Sequence, residues 1–451
     1  MNFSQDVTVA RIWKISLPLI LTCLSNSVMH ISDRLMLSQF SASSVNAIAS
    51  AQILAATFMM LLLGVASIAE VFVGQYNGAN EKEKVAKPVW QMIWFSIAGS
   101  VLITPFALWV KQFFLPKEFF LEAALYYDYS VYFLFLPPLN AALSAFFIGR
   151  GETFIVTAVA IVSNIVNLIL NYVLIFGTNF TTPLGVKGAI LATLISQILG
   201  NLILACIFLN NKNNRSYFTR KASIDLPLML ECVKIGGANS IGHTIEILAW
   251  TVSFTIVTSA NPDYTTIHVI GQTIFMMFSF LTEGLKQGVS TYASNLIGSR
   301  HAFSTKHLIG KASYIHIYIM SMLGAALYIF SAKIIEYLFP DVIAQGLYEP
   351  AKIVLIFSWL YIVIDGFSWI IAGVLTAGGD TRFQMLVNIL TSWFMVVIPL
   401  YIFLHIFRIE SYFLSWYTLI FYGLINLIAF YLRYRYSNWL KLDLSDGKRK
   451  I

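Results

Sequence analysis

Four carboxylates stand in the middle of long apolar stretches: Asp33, Glu246, Glu283 and Asp365. A carboxylate at the centre of a bilayer costs roughly 2.5–3.5 kcal/mol on insertion scales, so each needs a partner, a wet cavity or a function. Glu283 has Lys286 three residues on, the spacing of neighbours on one helical face, and an intrahelical ion pair accounts for both. Glu70 lies nearer the end of its stretch, within reach of the interface, where a structural or solvated role accounts for it. Asp33 has Arg34 beside it, but adjacent residues on a helix point in different directions. Asp33, Glu246 and Asp365 are therefore left without an obvious local cation, and a functional role is expected for them. Tyr361 precedes Asp365 by four residues and faces the same way, where its hydroxyl or ring can meet a cation. Two carboxylates and a phenol supply the oxygen ligands that suit a hard monovalent ion such as Na+. A proton is the alternative occupant of the same carboxylates, and spacing does not choose between them.

Asn164, Asn167 and Asn171 follow one another at three- and four-residue steps and form a polar stripe on an otherwise apolar helix. Such a stripe either lines a polar path or hydrogen-bonds neighbouring helices, at about 0.6–2 kcal/mol per bond. Neither an H-E-x-x-H motif nor a G-x-S-x-G elbow is present, so no enzyme is expected. Cys23, Cys206 and Cys232 have no CxxC or Cys/His spacing, and neither a disulfide framework nor a zinc site is indicated.

The elements that must position these residues follow from composition. With 58% hydrophobic and 11% charged residues, against about 45–50% and about 25% in soluble domains, most of the chain is dissolved in lipid. Spanning helices need about 20 mostly apolar residues, and runs of that kind occur at 12–38, 46–74, 89–114, 125–148, 154–177, 187–209, 233–259, 267–296, 312–339, 351–375, 384–407 and 413–432. No alternating pattern of a β-barrel appears. Basic residues divide about 20 against 6 between the two sides, which places both termini in the cytoplasm by the positive-inside rule. They are scattered through loops rather than clustered, so the net charge of +7 does not indicate nucleic acid. The N-terminus lacks a basic region followed by a cleavage site, and the first helix is expected to stay as an anchor.

Asn210 to Pro227 is the longest polar stretch and is expected to link two six-helix halves. The halves resemble each other. Gly-Gln-Tyr-Asn-Gly-Ala-Asn at 74–80 has a counterpart in Ser-Asn-Leu-Ile-Gly-Ser-Arg at 294–300, and Gly149-Arg150-Gly151-Glu152-Thr153 in Ala377-Gly378-Gly379-Asp380-Thr381, at offsets of about 220 and 228 residues. Two parallel repeats are implied, with a substrate site near the midplane between them. The expected organisation is a six-helix lobe over 1–209, a linker over 210–228, a second lobe over 229–432 and a basic cytoplasmic tail over 433–451. Pro137-Pro138 and Pro399 are expected to bend or break their helices.

Leu17-Pro18-Leu19-Ile20 leading to Ser32-Asp33-Arg34, Gly74-Gln75-Tyr76-Asn77-Gly78-Ala79, Asn167-Leu168-Ile169-Leu170-Asn171 with Ile175-Phe176-Gly177, Gly188-Ala189-Ile190-Leu191-Ala192-Thr193 and Gly378-Gly379-Asp380-Thr381-Arg382 together resemble the MATE (multidrug and toxic compound extrusion) family over nearly the whole chain. The resemblance implies an all-α polytopic membrane protein of twelve helices in two six-helix lobes forming a V. It also implies efflux of cationic or amphipathic compounds exchanged for Na+ or H+, with no bound cofactor. Asp33 matches the family's acidic residue of the first helix, while Glu246, Tyr361 and Asp365 match the C-lobe cation site of the NorM-like branch. Asn167, Asn171 and Thr193 match its N-lobe polar cluster. DinF-like members carry Asp where this chain has Asn171, which favours the NorM-like branch. Arg34 departs from the family, in which small or uncharged residues stand there.

The function expected from the sequence is a secondary antiporter in the cell inner membrane. It exports small organic cations by alternating access and works as a monomer. A flippase for a lipid-linked or other amphiphilic cargo is the alternative, although the charges left over are acidic rather than the basic ones that suit phosphates. A major-facilitator carrier also has twelve helices, but its G-x-x-x-D-R-x-G-R-R loop is missing, with Gly78-Ala79-Asn80-Glu81 in its place.

Overall fold

Backbone polar groups in hydrocarbon must be satisfied within the segment that carries them, so apolar runs of this length fold as helices. The computed structural model describes residues 7–40, 42–178 and 182–445, of residues 42–47 the backbone alone. Among the described residues, twelve helical segments are long and apolar enough to cross a membrane. They are α1 (Val9–Phe40), α2 (Ile48–Gly78), α3 (Lys82–Phe114), α4 (Lys117–Gly149), α5 (Thr153–Phe176), α6 (Val186–Phe208), α7 (Leu226–Ala260), α8 (Pro262–Gly298), α9 (Ala302–Ile329), α10 (Tyr348–Ala377), α11 (Thr381–Ile406) and α12 (Leu414–Tyr436). Each expected span has its counterpart. The ninth departs most, because the helix ends at Ile329 and Ser331–Leu338 forms a separate short helix. Its Lys333 and Glu336 alternate with Ile334, Ile335 and Leu338, a pattern suited to an interface rather than to a span.

Prolines act where they were expected, with one refinement. The interruption in α4 falls at Phe133–Phe135, and Pro137 and Pro138 occupy the first turn of the helix that resumes, where a missing N–H costs least. Pro399 sits in a short α-helical turn, Ile398–Tyr401, between two π-helical stretches, Ser392–Val397 and Ile402–Ile406. The corresponding helix of the first half, α5, is α-helical throughout.

Within the first half α1 packs on α5, α2 on α4, α3 on α4, α4 on α6 and α5 on α6. The second half repeats every one of these pairs, as α7 on α11, α8 on α10, α9 on α10, α10 on α12 and α11 on α12. The halves meet where α1 packs on α8, α2 on α7 and α2 on α8; the repeat exchanges the first two contacts and maps the third onto itself. Glycine permits the approach. A Cβ on Gly288 would lie 2.0 Å from Ser16 Oγ, one on Gly284 2.6 Å from the Ile20 backbone, and one on Gly236 2.8 Å from Val65 Cα. This is the small-residue packing by which membrane helices associate. Along the first half of α1 the buried positions are Ile12, Ile15, Ser16, Leu19 and Ile20, the face that meets α8, while further on only Asp33 and Leu37 are buried and Val28, Ile31 and Leu35 are exposed. The halves therefore touch on the side that carries both termini and part on the far side, as the arms of a V.

The termini side is sealed by side-chain amides. Gln75 Nε2 on α2 donates to the Ala377 carbonyl at the end of α10 (2.8 Å), and Asn295 Nδ2 on α8 donates to the Gly149 carbonyl at the end of α4 (2.8 Å). Asn77 Nδ2 reaches Asn295 Oδ1 at 2.7 Å. The repeated sequence motifs thus bond one another across the junction. Residues 437–445 also join this closure. The amides of Lys441 and Leu442 donate to the Gly378 carbonyl, Gln75 Nε2 donates to the Leu442 carbonyl, and the Leu444 amide donates to Gln75 Oε1. Leu442 and Leu444 are buried. Of the basic tail expected over 433–451, residues 437–445 are docked, and Arg433 belongs to α12, where it pairs with Asp380 at 2.7 Å. The basic run Lys448 to Lys450 lies outside the described residues.

Candidate functional site

In the first half Asp33 is buried on α1 and accepts a hydrogen bond from Asn171 Nδ2 of α5. Asn171 Nδ2 also donates to Asn167 Oδ1 one turn earlier (3.0 Å), and Asn167 Nδ2 points to Thr193 Oγ1 of α6 at 3.4 Å. Three helices thus bring Asp33, Asn171, Asn167 and Thr193 into one polar chain, the grouping expected from sequence. Asn164 does not join it, and bonds Ser25 (2.8 Å) and Asn26 (3.1 Å) of α1 instead, which is the plain helix-linking role. Arg34 is exposed.

The second half gathers residues from four helices. Glu246 of α7 accepts a hydrogen bond from the hydroxyl of Tyr422 on α12 at 2.6 Å, and His243 Nδ1 lies 3.5 Å from its other oxygen. Asp365 and Tyr361 of α10 are buried one turn apart and both feel the charge of Glu246, so the three side chains proposed from sequence do converge. The ring of Tyr361 packs on Phe275 (5.3 Å between centroids) and Trp416 (6.4 Å). Trp369 stands one turn on from Asp365 along the same helix.

Two expectations fail here. Glu283 and Lys286 form no contact ion pair among the described residues; the Lys286 ammonium instead lies over the indole of Trp369, 4.3 Å from the ring centroid. From there it interacts electrostatically with Glu283, Glu246 and Asp365. Glu246 and Asp365 are therefore not without a cation. Spacing along one helix shows only same-helix neighbours such as Glu283, whereas the packing of α8 on α10 lets Lys286 rest on Trp369. Tyr422, His243 and Trp369 were missed altogether. His243 and Trp369 carried a legible signal, standing three and four residues from the acids they serve, whereas Tyr422 is 176 residues from Glu246 and carried none.

Glu70 is not solvated. It is buried at the junction of the halves, where Thr291 Oγ1 donates to it at 2.7 Å and Gln287 Nε2 at 2.9 Å. Its role is structural, as a bond between α2 and α8.

Comparison with known proteins agrees with this architecture. The family profile of MatE matches residues 18–173 and 243–402, one segment in each half. The probable multidrug resistance protein YoeA of Bacillus subtilis (strain 168) is 23% identical over 81% of this chain and 81% of its own. The probable multidrug resistance protein NorM of Rhizobium meliloti (strain 1021) is 27% identical over 84% of this chain and 83% of its own. Among solved structures, the outward-facing conformation of a multidrug resistance MATE family transporter of the MOP superfamily superposes with a TM-score of 0.82 at 17% identity, covering 96% of this chain and 95% of that one, which shows the fold. With twelve membrane-length helices in two repeated halves and a family match over most of its length, the chain belongs to the MatE family of multidrug efflux transporters.

Proposed function

We propose that this chain is a secondary active antiporter that exports cationic or amphipathic organic compounds in exchange for Na+ or H+ by alternating access. It acts as a monomer in the cell inner membrane, with both termini and the 210–228 connection in the cytoplasm. The supporting observation is the convergence of Glu246 and Asp365, carried by different helices, around Tyr361 and Tyr422 inside an otherwise apolar bundle. Like charges that act on each other in a low dielectric repel, so the pair favours any state in which a cation or proton is shared. Substrate and coupling ion drive exchange only if each binds the two conformations differently. The polar chain of Asp33, Asn167, Asn171 and Thr193 forms the corresponding coupling and substrate surface of the first half.

The test is efflux of a fluorescent organic cation from proteoliposomes under an imposed Na+ gradient and, separately, an imposed pH gradient. Glu246→Gln and Asp365→Asn are each expected to abolish gradient-driven efflux while the protein still reaches the membrane at normal yield. Full transport by both variants would reject the assignment, and no transport by the wild type under either gradient would reject the antiporter.

A further inference from the structure

The acidic site already contains a positive charge of its own. Lys286 comes from α8, the helix at the junction of the halves, and is half-buried. Its ammonium is seated on Trp369 at 4.3 Å, and Trp369 stands one turn from Asp365 on α10, so the cation rests beside the helix that carries one of the two central carboxylates. The other carboxylate, Glu246, and Glu283 complete the set of charges around it. Glu246, Lys286 and Trp369 are half-buried and accessible, whereas Asp365, Tyr361 and Tyr422 are buried behind them. An ammonium on a four-carbon stem is a compact point charge with three donors, the closest a side chain comes to a monovalent cation. Desolvation strengthens its attraction to the aromatic face on which it rests.

We propose that Lys286 is a tethered cation that excludes Na+ from the site of Glu246, Asp365, Tyr361 and Tyr422, and that an exported organic cation competes with the Lys286 side chain for those carboxylates. The inference rests on the preceding reading of this site as the coupling site and narrows it, since of the two candidate ions sodium is the one excluded. The site needs one positive charge near two central carboxylates, and the chain supplies it from α8. A free sodium ion entering the same space meets the repulsion of a fixed unit charge, taken as about 6 Å away. At an effective dielectric of about 20 that repulsion weakens binding by about a hundredfold.

The experiment measures Na+ binding directly, by calorimetric titration of the purified protein with NaCl against choline chloride, and needs no transport. Wild type is expected to show no Na+-specific heat. Lys286→Met keeps the length and removes the charge, and is expected to gain Na+ binding by about a hundredfold relative to wild type. Lys286→Arg, which keeps the charge, is expected to remain blind to Na+, and Lys286→Met combined with Glu246→Gln to lose the gain. Na+ binding by the wild type, or a folded Lys286→Met that gains none, overturns the proposal, and the wild-type titration decides even if the variants fail to fold. Failure of the coupling-site reading is separately visible, because it shows as unimpaired organic-cation efflux in Glu246→Gln whatever the Na+ titrations give.

Discussion

Asp33 is held by one donor that matters, the amide of Asn171 on the neighbouring helix. Truncating that donor leaves a buried carboxylate without its partner, at a cost of about 1–3 kcal/mol. Asn171→Leu is therefore expected to lower the melting temperature of the detergent-purified protein, and Asn171→Gln to lower it less, as read by fluorescence-detected size exclusion after heating. Equal stability of the leucine variant and wild type would show that the bond contributes nothing. The Asn167 and Asn171 pair was legible in the sequence because both lie on one helix at a four-residue step. The bond to Asp33 crosses 138 residues, and only the family resemblance pointed to it. Lys286 shows the converse: its local spacing named Glu283, the foremost of the acids acting on it, but not the indole of Trp369 on which it rests.

At the scale of the helix, α8 connects the two functions of the molecule. Lys286 faces the acids of the second half, while Gln287 and Thr291 hold Glu70 of the first, and Asn295 closes the termini side. Any rotation of α8 that moves Lys286 also strains its bonds to the other half. Gly284 and Gly288 keep α8 against α1, and a larger residue there must push the helices apart. Gly288→Leu is expected to cost more than the roughly 1–3 kcal/mol of ordinary overpacking, since its Cβ would meet Ser16 rather than a flexible side-chain end. The control is Gly310→Ala, where nothing lies within 4 Å of the added Cβ and replacing glycine inside a helix is expected to be neutral or stabilising. Comparable monodispersity of the Gly288 and Gly310 variants would remove the argument. Twelve spans could be read from hydrophobic runs because lipid leaves the backbone no alternative to helix. Which helix would touch which could not, since small residues recur on many faces and only tertiary packing selects among them.

Across the whole molecule, the closure on the termini side is a pair of repeat-related bonds, Gln75 to Ala377 and Asn295 to Gly149. The sequence motifs that revealed the repeat are the residues that make these bonds, so this part of the architecture was legible as soon as the motifs were aligned. The docking of residues 437–445 was not, because Leu442 and Leu444 sit among polar neighbours and carry no helical period. Removing one amide by Gln75→Ala or Asn295→Ala is expected to raise the population open on the termini side severalfold, at about 0.6–2 kcal/mol per bond. Together the two changes should raise it more than either alone. Thiol labelling of Ser294→Cys, buried in the closed arrangement against Gly74, reads that population in a background in which Cys23, Cys206 and Cys232 are replaced; unchanged labelling rates in the double variant would mean that other contacts hold the closure. The two halves also differ in their fifth helices. A π-helical turn holds one residue more than the α-helical turn it replaces, so the stretches Ser392–Val397 and Ile402–Ile406 give α11 spare chain that α5 does not have. Length editing exposes that reserve: deleting one residue from 392–397 is expected to let the segment relax to α-helix and still assemble, while a one-residue deletion in α5 would rotate Asn171 away from Asp33 and lose the fold.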